Sequence, residues 1–512
     1  MTRRSPNILF LMADQLAARC LPQHGHPVVQ APHITALAER GVVFDSAYCN
    51  TPLCAPARFT MMTGCLPQRI EAYDNASDLP AEVPSFAHYL RAAGYRTALS
   101  GKMHFCGPDQ LHGFEERLTT DIYPADYGWT ADWEHPERRP TWYHNMLSVT
   151  QAGPVLRSNQ IDFDEETFYQ AQRFLYDAAR GGDERPFALV ASFTHPHDPY
   201  AARPEFWDLY ADSEIDPPAV AMEPEFLDPH SKRLRRVIDI DGKEPSPEQV
   251  LRARRAYYAN ISYIDDKVGR LLASLEELGL AEDTIVVFTG DHGDMLGERG
   301  LWYKMSWFDP SSRVPLVVSH PQSFAPRRVA QSVSLIDLLP TLTEVAGDGQ
   351  APELAAPIDG RSLLPHLSGS GGHDEAIGEY CGEGAIAPVC MIRRGDLKYI
   401  CSGSDPDQLF DLAADPHELE DLTRSEAAAE PLAAFRREAA ERWDMEAFRA
   451  RVIASQRRRL FVAESLRQGR LLSWDFQPGR DASRQFMRNH LDLDDVEAGA
   501  RLEAAARGRD VA

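Results

Sequence analysis

Lysine is scarce in this 512-residue chain. Only six of its 53 basic side chains are Lys (Lys102, Lys232, Lys243, Lys267, Lys304 and Lys398), against 77 acidic residues. The formal net charge of -24 and a pI near 5.1 repel phosphate backbones and anionic lipid. No basic stripe interrupts that field, so nucleic acid and membrane surfaces are excluded as partners. Long apolar runs are missing too. Ile8 to Ala13 and Ile285 to Phe288 fall far short of a bilayer span, which leaves a soluble protein. The eight cysteines (Cys20, Cys49, Cys54, Cys65, Cys106, Cys381, Cys390 and Cys401) contain no CxxC pair, which excludes a thiolate zinc site and suits a reducing compartment. Low-complexity tracts and internal repeats are absent, and with 43% hydrophobic residues the chain can bury a large core. Arg3, Arg4 and the first apolar run resemble a signal peptide, but Asp14 cuts the run short and no small-residue cleavage signal follows. The expected location is cytoplasmic.

Three apolar runs each stop at polar residues suited to chemistry. Asn7 to Ala13 precedes Asp14-Gln15, Phe187 to Phe193 precedes His195-Pro196-His197, and Thr284 to Thr289 precedes Asp291-His292. Such runs read as buried strands. Helical patterns lie between them: Ile34 to Arg40, Pro84 to Ala93, and the one-faced series Ile261, Ile264, Val268, Leu271, Leu275 and Leu278. Alternating strands and helices predict an α/β fold whose large, mostly parallel sheet is flanked by helices and gathers ligands at its carboxyl strand ends. Asp212 to Gln249, rich in Pro and charge, reads as an insertion or lid. After about Gly378 the pattern changes to a hairpin over Val389 to Ile400, a strand at Gln408 to Leu412 and a helical stretch from Leu419 to Leu466. This predicts a catalytic domain over 1–377 and a smaller C-terminal α+β subdomain over 378–512, with a helical arm and tail.

The sharpest local signal is Cys54-Ala55-Pro56-Ala57-Arg58 followed by Met62-Thr63-Gly64. It resembles the signature of the formylglycine-dependent sulfatases, in which this cysteine becomes an aldehyde after translation. The context repeats the family pattern in chain order: Asp14 at a strand end, Gly101-Lys102-Met103-His104, Pro196-His197-Asp198-Pro199, Gly290-Asp291-His292-Gly293, then Lys304. Within the family, Gly107 to Glu115, Thr194 to Tyr200, Gly293 to Gly300, Trp443 to Phe448 and the tail Met487-Arg488-Asn489-His490 look most like the choline-sulfatases. The resemblance implies an alkaline-phosphatase-like sandwich, hydrolysis of choline O-sulfate and a divalent ion, Ca²⁺ or else Mg²⁺ or Mn²⁺. It also implies maturation by a formylglycine-generating enzyme and a homo-oligomer, dimer or tetramer.

A sulfate ester resists attack because its peripheral oxygens repel a nucleophile, so its site needs fixed positive charge. Two of the six lysines fall inside the motifs. By resemblance, Asp14, Asp291, His292 and an oxygen of modified Cys54 form a mostly hard-donor shell for the metal. Most sulfatases carry a second Asp where this chain has Gln15 and Asn where it has His292. Phosphonate monoester hydrolases share the His, so a phosphonate monoester or phosphodiester hydrolase is the competing reading. Arg58 is expected to hold the aldehyde hydrate, Lys102 and Asn75 the sulfate, and His104 to act as base when the hydrate collapses. His197 and Lys304 would serve the alcohol leaving group. His195 reads as a structural histidine at a strand end. A non-catalytic relative would have lost Cys54, Arg58, Lys102 or Asp291, and all four are present.

Between Asp121 and Asn145 stand six aromatics: Tyr123, Tyr127, Trp129, Trp133, Trp142 and Tyr143, where the overall 9% would supply about two. A trimethylammonium group has no donor to offer and is recognised by aromatic faces and carboxylates. By resemblance, Trp129 and His144 line that pocket, Glu383 supplies a carboxylate, and Asp494 reaches in from the tail of a neighbouring subunit. Packing or oligomer contact is the competing role for the aromatics taken singly.

Overall fold

The computed structural model describes residues 5–123, 126–347, 349–350, 353–470, Trp474 and 492–500. Its strands are β1 (Asn7–Asp14), β2 (Val42–Tyr48), β3 (Arg96–Gly101), β4 (Glu116–Arg117), β5 (Gly153–Pro154), β6 (Phe187–Pro196), β7 (Ala201–Ala202), β8 (Thr284–Gly290), β9 (Arg313–Ser319), β10 (Arg327–Ser334), β11 (Ala376–Tyr380), β12 (Val389–Arg394), β13 (Leu397–Ser402) and β14 (Gln408–Asp411). Eight of them form one sheet in the order β10-β2-β9-β8-β1-β6-β3-β4. β1 lies in the middle, parallel to both neighbours, with Leu11 opposite Ala191 on one side and Phe288 on the other. The sheet is mostly parallel, as its apolar runs predict. The exception is β9, which runs against both β2 and β8.

Each face of the sheet has its own core, because successive side chains of a strand point to opposite sides. Leu9, Leu11 and Ala13 of β1 face one cluster, and Ile8, Phe10 and Met12 face the other. The first is covered by the helix Pro247–Glu277 through Ile261, Ile264, Val268 and Leu271. The second is covered by the helices Cys54–Thr63 and Leu338–Ala346 through Phe59, Met62, Leu338 and Leu342. Burying each such Leu, Ile or Phe contributes about 1.5–3 kcal/mol.

The Pro247–Glu277 helix begins well before the periodic series that announced it. Ser246 caps it, accepting from Gln249 N–H, while Gln249 reaches back to Ser246 N–H at 2.8 Å. Small and aromatic residues from Ala253 to Asn260 hide the pattern there. The 212–249 excursion likewise contains a helix, Pro229–Val237, capped by Asp228 through Ser231 N–H at 2.9 Å. Its three arginines and one lysine mask the two residues, Leu234 and Val237, that bury it in the core.

β11 to β14 form a separate antiparallel sheet in chain order. The helical stretch after it starts at Ala429, preceded by short turns, and breaks at Trp443 into Ala429–Arg442 and Met445–Arg467. Asp444 starts the second helix by accepting from Ala447 N–H at 3.0 Å. Residues up to Asp475 make one compact unit and Phe476–Ala512 a second, whose described part is the helix Leu493–Ala500. The tail motif Met487 to His490 lies outside the described residues. No helix among the described residues is long and apolar enough to cross a membrane.

Candidate active site

Four adjacent strands, β8, β1, β6 and β3, end side by side and carry Asp291-His292, Asp14, His197 and Lys102 respectively, on or just beyond their carboxyl ends. Cys54 meets them from the first residue of the Cys54–Thr63 helix, where unpaired N–H groups favour negative charge. Gly101 makes the exit from β3 possible. Its φ is +101°, and a Cβ there would stand 2.0 Å from the Ser192 carbonyl oxygen.

Asp14, Cys54, Asp291 and His292 converge, each offering a donor atom within 4.8 Å of the others, and all four are buried. Cys54 Sγ is 3.1 Å from His292 Nε2 and 3.7 Å from Asp14 Oδ1. His292 Nδ1 donates to the Gly293 carbonyl at 3.0 Å, so the bare Nε2 faces the cluster. Two buried carboxylates and an unprotonated imidazole nitrogen fit a divalent cation. Arg58 lies beneath them, fully buried. Its Nε donates to Asp291 Oδ2 at 2.9 Å, and Nη1 to the Lys102 carbonyl at 2.6 Å and Ser192 Oγ at 2.9 Å. Nη2 stands 3.3 Å from Asp14 Oδ2, to which Lys102 Nζ also donates. Burial opposes the charge on Asp14, but the cationic Lys102 and Arg58 beside it hold the carboxyl well below its usual range.

His104 takes a left-handed backbone, φ 63°, held by its own N–H on Asp121 Oδ2 at 2.7 Å. Arg117 Nη2 secures that carboxylate at 3.1 Å. Among the described residues, neither ring nitrogen of His104 has a hydrogen-bond partner. Burial, then the charges of Lys102 and Arg58, push the imidazole well below its normal value, so it rests neutral with a free lone pair. On the other side, Lys304 Nζ donates to Gln15 Oε1 at 2.7 Å and lies 2.8 Å from His197 Nε2 and 3.2 Å from His144 Nε2. His197 Nδ1 donates to the Asp198 carbonyl at 2.6 Å, which leaves Nε2 to accept from the ammonium. Gln15 is fixed in turn by Nε2 donating to Asp294 Oδ2 at 2.6 Å.

A cavity of about 290 Å³ opens over this cluster. Cys54, Lys102, His104, His197 and Lys304 line it, and so do Asn75, Trp129, His144 and Glu383. Asn75 Oδ1 accepts from Ala55 N–H at 3.0 Å, which turns its amide donors elsewhere. Trp129 and Trp142 stack at 6.3 Å with an interplanar angle of 10°. Burial raises the Glu383 carboxyl to about 7, and its Oε2 has no hydrogen-bond partner among the described residues. Of the expected site residues, Arg58, Asp14, Asp291 and His292 sit below the cavity and the rest above on its wall, except Asp494, which is exposed on the Leu493–Ala500 helix of the second unit.

Sequence reading did not single out three further wall residues. Tyr123 stacks its ring 4.6 Å from Lys102 Nζ, Trp142 completes the indole pair, and Asp198 stands 3.6 Å from His144 Nε2. Tyr123 and Trp142 were visible in the aromatic window, and Asp198 in its motif, without a mark separating them from packing residues. Tyr127 and Trp133 do pack: the first meets Trp474 edge-on, and the second donates from its indole to the Gly382 carbonyl at 3.3 Å. His195 is buried against Asp164, with Nδ1 2.6 Å from Oδ2, away from the cavity wall.

Comparison with known proteins agrees with this geometry. Residues 6–348 match the family described as Sulfatase, 297–442 the C-terminal region of N-sulphoglucosamine sulphohydrolase, and 450–502 the family described as choline sulfatase enzyme C terminal. A choline-sulfatase of Rhizobium meliloti is 48% identical over 509 residues, covering 98% of this chain and 99% of its own. Among solved structures, a phosphonate monoester hydrolase from Silicibacter pomeroyi superposes with a TM-score of 0.69 at 24% identity, over 85% of this chain and 95% of its own. One from Agrobacterium radiobacter gives 0.66 at 26%, over 87% and 96%. The expected alkaline-phosphatase-like α/β architecture is therefore present. With the Cys54 motif at a helix start, buried carboxylates beneath it and a match over most of its length, the chain belongs to the sulfatase family and is a sulfuric ester hydrolase.

Proposed function

We propose that this enzyme hydrolyses choline O-sulfate to choline and sulfate. One observation carries the reading: a single cavity presents Lys102, Asn75 and Lys304 for an anion, and Trp129, Trp142 and Glu383 for a cation. A zwitterionic ester fits such a divided lining, since aromatic faces and a carboxylate attract a trimethylammonium group that offers no donor.

Asp14, Asp291, His292 and position 54 would hold Ca²⁺, or Mg²⁺ or Mn²⁺ in its place, which when bound supplies Lewis-acid polarisation of the sulfate. Conversion of Cys54 to formylglycine by a formylglycine-generating enzyme would supply an aldehyde hydrate as nucleophile: one hydroxyl takes the sulfuryl group, and loss of the proton from the other re-forms the aldehyde and expels sulfate, a route closed to an ester of serine. Arg58, tied to Asp291 and spanning to Asp14, fixes both carboxylates and offsets part of their charge without lining the cavity. Lys102 and Asn75 neutralise and orient the sulfate oxygens. His104, neutral and unpartnered, takes the proton that must leave position 54 for sulfate to depart. An alkoxide such as that of choline is a poor leaving group unless protonated, and Lys304 with His197 stands ready to do so. His144 shares that side of the cavity, with its Nε2 near Lys304.

Asp494 from a neighbouring subunit of a homo-dimer or tetramer is proposed as a further carboxylate for the ammonium group. The same reading places the enzyme in the cytoplasm, where its buried, unpaired cysteines stay reduced. The deciding experiment compares kcat/KM on choline O-sulfate, an aryl sulfate and a phosphonate monoester, using protein whose position 54 has been checked by peptide mass spectrometry. Preference for choline O-sulfate by orders of magnitude supports the reading. Preference for the phosphonate overturns the substrate, and fully active protein with unmodified Cys54 overturns the nucleophile.

A further inference from the structure

Two of the segments that line the cavity are loops fastened at one place: one carries Asp74-Asn75, the other runs from Tyr127 to Trp133 and carries Trp129. Both are fastened to one helix of the C-terminal arm, Met445–Arg467. Arg459 reaches inward from that helix and meets the Asp74 carboxylate with both guanidinium arms, Nη2 donating to Oδ2 at 2.9 Å. Its Nη1 also donates to Thr130 Oγ1 at 3.3 Å, beside Trp129. One turn earlier, Gln456 Oε1 accepts from the backbone N–H of Trp133 at 3.0 Å. Phe448 packs on Tyr73 at 6.1 Å between ring centres.

These contacts are not surface ornament. Arg459 is 7% exposed, Gln456 2%, Asp74 1% and Thr130 2%. A buried arginine is costly unless its charge and donors are matched, so its position is defined by the carboxylate it meets. Bidentate pairing also fixes direction, and here one planar group joins the loop of the proposed sulfate contact to the loop of the proposed ammonium contact. Gln456 and Arg459 both fall in the segment matching the family described as choline sulfatase enzyme C terminal.

We propose that the Met445–Arg467 helix is the specificity element of this enzyme, with Arg459 and Gln456 as positioning residues that set the Trp129 wall and the Asn75 loop at a fixed separation. This rests on the choline O-sulfate reading above. Neither residue lines the cavity, so each acts through the loop it holds.

The test measures KM and kcat on choline O-sulfate and on an aryl sulfate without an ammonium group. The proteins are wild type, Gln456→Met, Arg459→Met and Arg459→Lys, with folding followed by near-UV circular dichroism and melting temperature. Gln456→Met should raise KM for choline O-sulfate roughly tenfold or more, about 1.4 kcal/mol, while kcat and the aryl sulfate constants stay within about twofold. Arg459→Met should raise KM for choline O-sulfate further and lower kcat on both substrates, and Arg459→Lys should recover part of each. A folded Gln456→Met enzyme with unchanged KM for choline O-sulfate, or one weakened equally on both substrates, overturns the proposal. Gln456→Met decides alone if Arg459→Met does not fold. A wild-type enzyme that cleaves the aryl sulfate but not choline O-sulfate overturns the substrate reading and this inference with it, whereas unmoved variants of an active wild type overturn the inference only.

Discussion

Lys304 and His197 lie 2.8 Å apart, nitrogen to nitrogen, and the backbone bond at His197 Nδ1 fixes which of the two is the donor. The ammonium is therefore shared between an imidazole and the Gln15 amide oxygen, with His144 Nε2 close by.

If that pair protonates the departing alcohol, Lys304→Ala should lower kcat on an alkyl sulfate by roughly 10²-fold or more. Aryl sulfates with acidic phenols should suffer far less. Rates across a series of leaving-group pKa values give the slope, which must steepen in the variant. An unchanged slope removes Lys304 from the leaving side.

Trp129→Ala should raise KM for choline O-sulfate about tenfold, the loss of roughly 1–2 kcal/mol of cation–π attraction and ring contact. KM for an aryl sulfate should hardly move. Equal effects on both substrates would return the indole to a packing role.

Burial raises Glu383 to about 7, with Asp74 pushing the same way and Lys304 opposing. The group is neutral below that value and an anion above it, so attraction for a cation grows as pH rises through 7. KM for choline O-sulfate should fall over that window, and Glu383→Gln should abolish the dependence. The stability sign is opposite: the native state keeps this proton above pH 4.5 where the unfolded chain releases it, so this group's contribution to stability declines from pH 4.5 towards 7.

If Asp14, Cys54, Asp291 and His292 hold the proposed cation, chelation should abolish activity and lower the melting temperature, because a cation bound by the folded state stabilises it. Readdition at about a thousand times Kd should restore about 4 kcal/mol. Calorimetry with Ca²⁺, Mg²⁺ and Mn²⁺ in turn ranks the ions, and a melting temperature indifferent to all three would deny the cluster a metal.

Gly101→Ala should be severe for one methyl group. The φ of +101° alone costs about 1–3 kcal/mol for an L residue, and the Cβ would collide with the Ser192 carbonyl. Loss of soluble protein, or a melting temperature lowered by several degrees, is expected. A variant as stable as wild type would mean β3 ends differently.

The main sheet was legible because its central strands are nearly pure apolar runs, and each stops at polar or charged residues whose burial demands partners at the strand ends. β9 was not, since its reversal depends on pairing with β2 and β8 rather than on its own residues. The Pro229–Val237 helix was hidden by arginines that here reach acceptors such as Asp241 and Glu244. Cys54, Asp14, Lys102 and Asp291 could be proposed together because each sits in a short motif, and the fold brings them to one place. Arg459 and Gln456 carry no motif. Their meaning comes from partners more than 300 positions away, and one chain read alone holds no record of such pairings.

Cys54 is 1% exposed, at the start of a helix roofed by its own sheet. An enzyme that converts that side chain, as proposed above, would have a deadline. The covering strand ends arrive late in synthesis, β8 only near residue 290, so a nascent chain displays the Cys54 segment for as long as the remainder is being made. If conversion needs that exposed segment, a molecule that folds first would be passed over, the active fraction of a preparation would be set by a race between folding and modification, and slowing translation should raise it without changing a single residue.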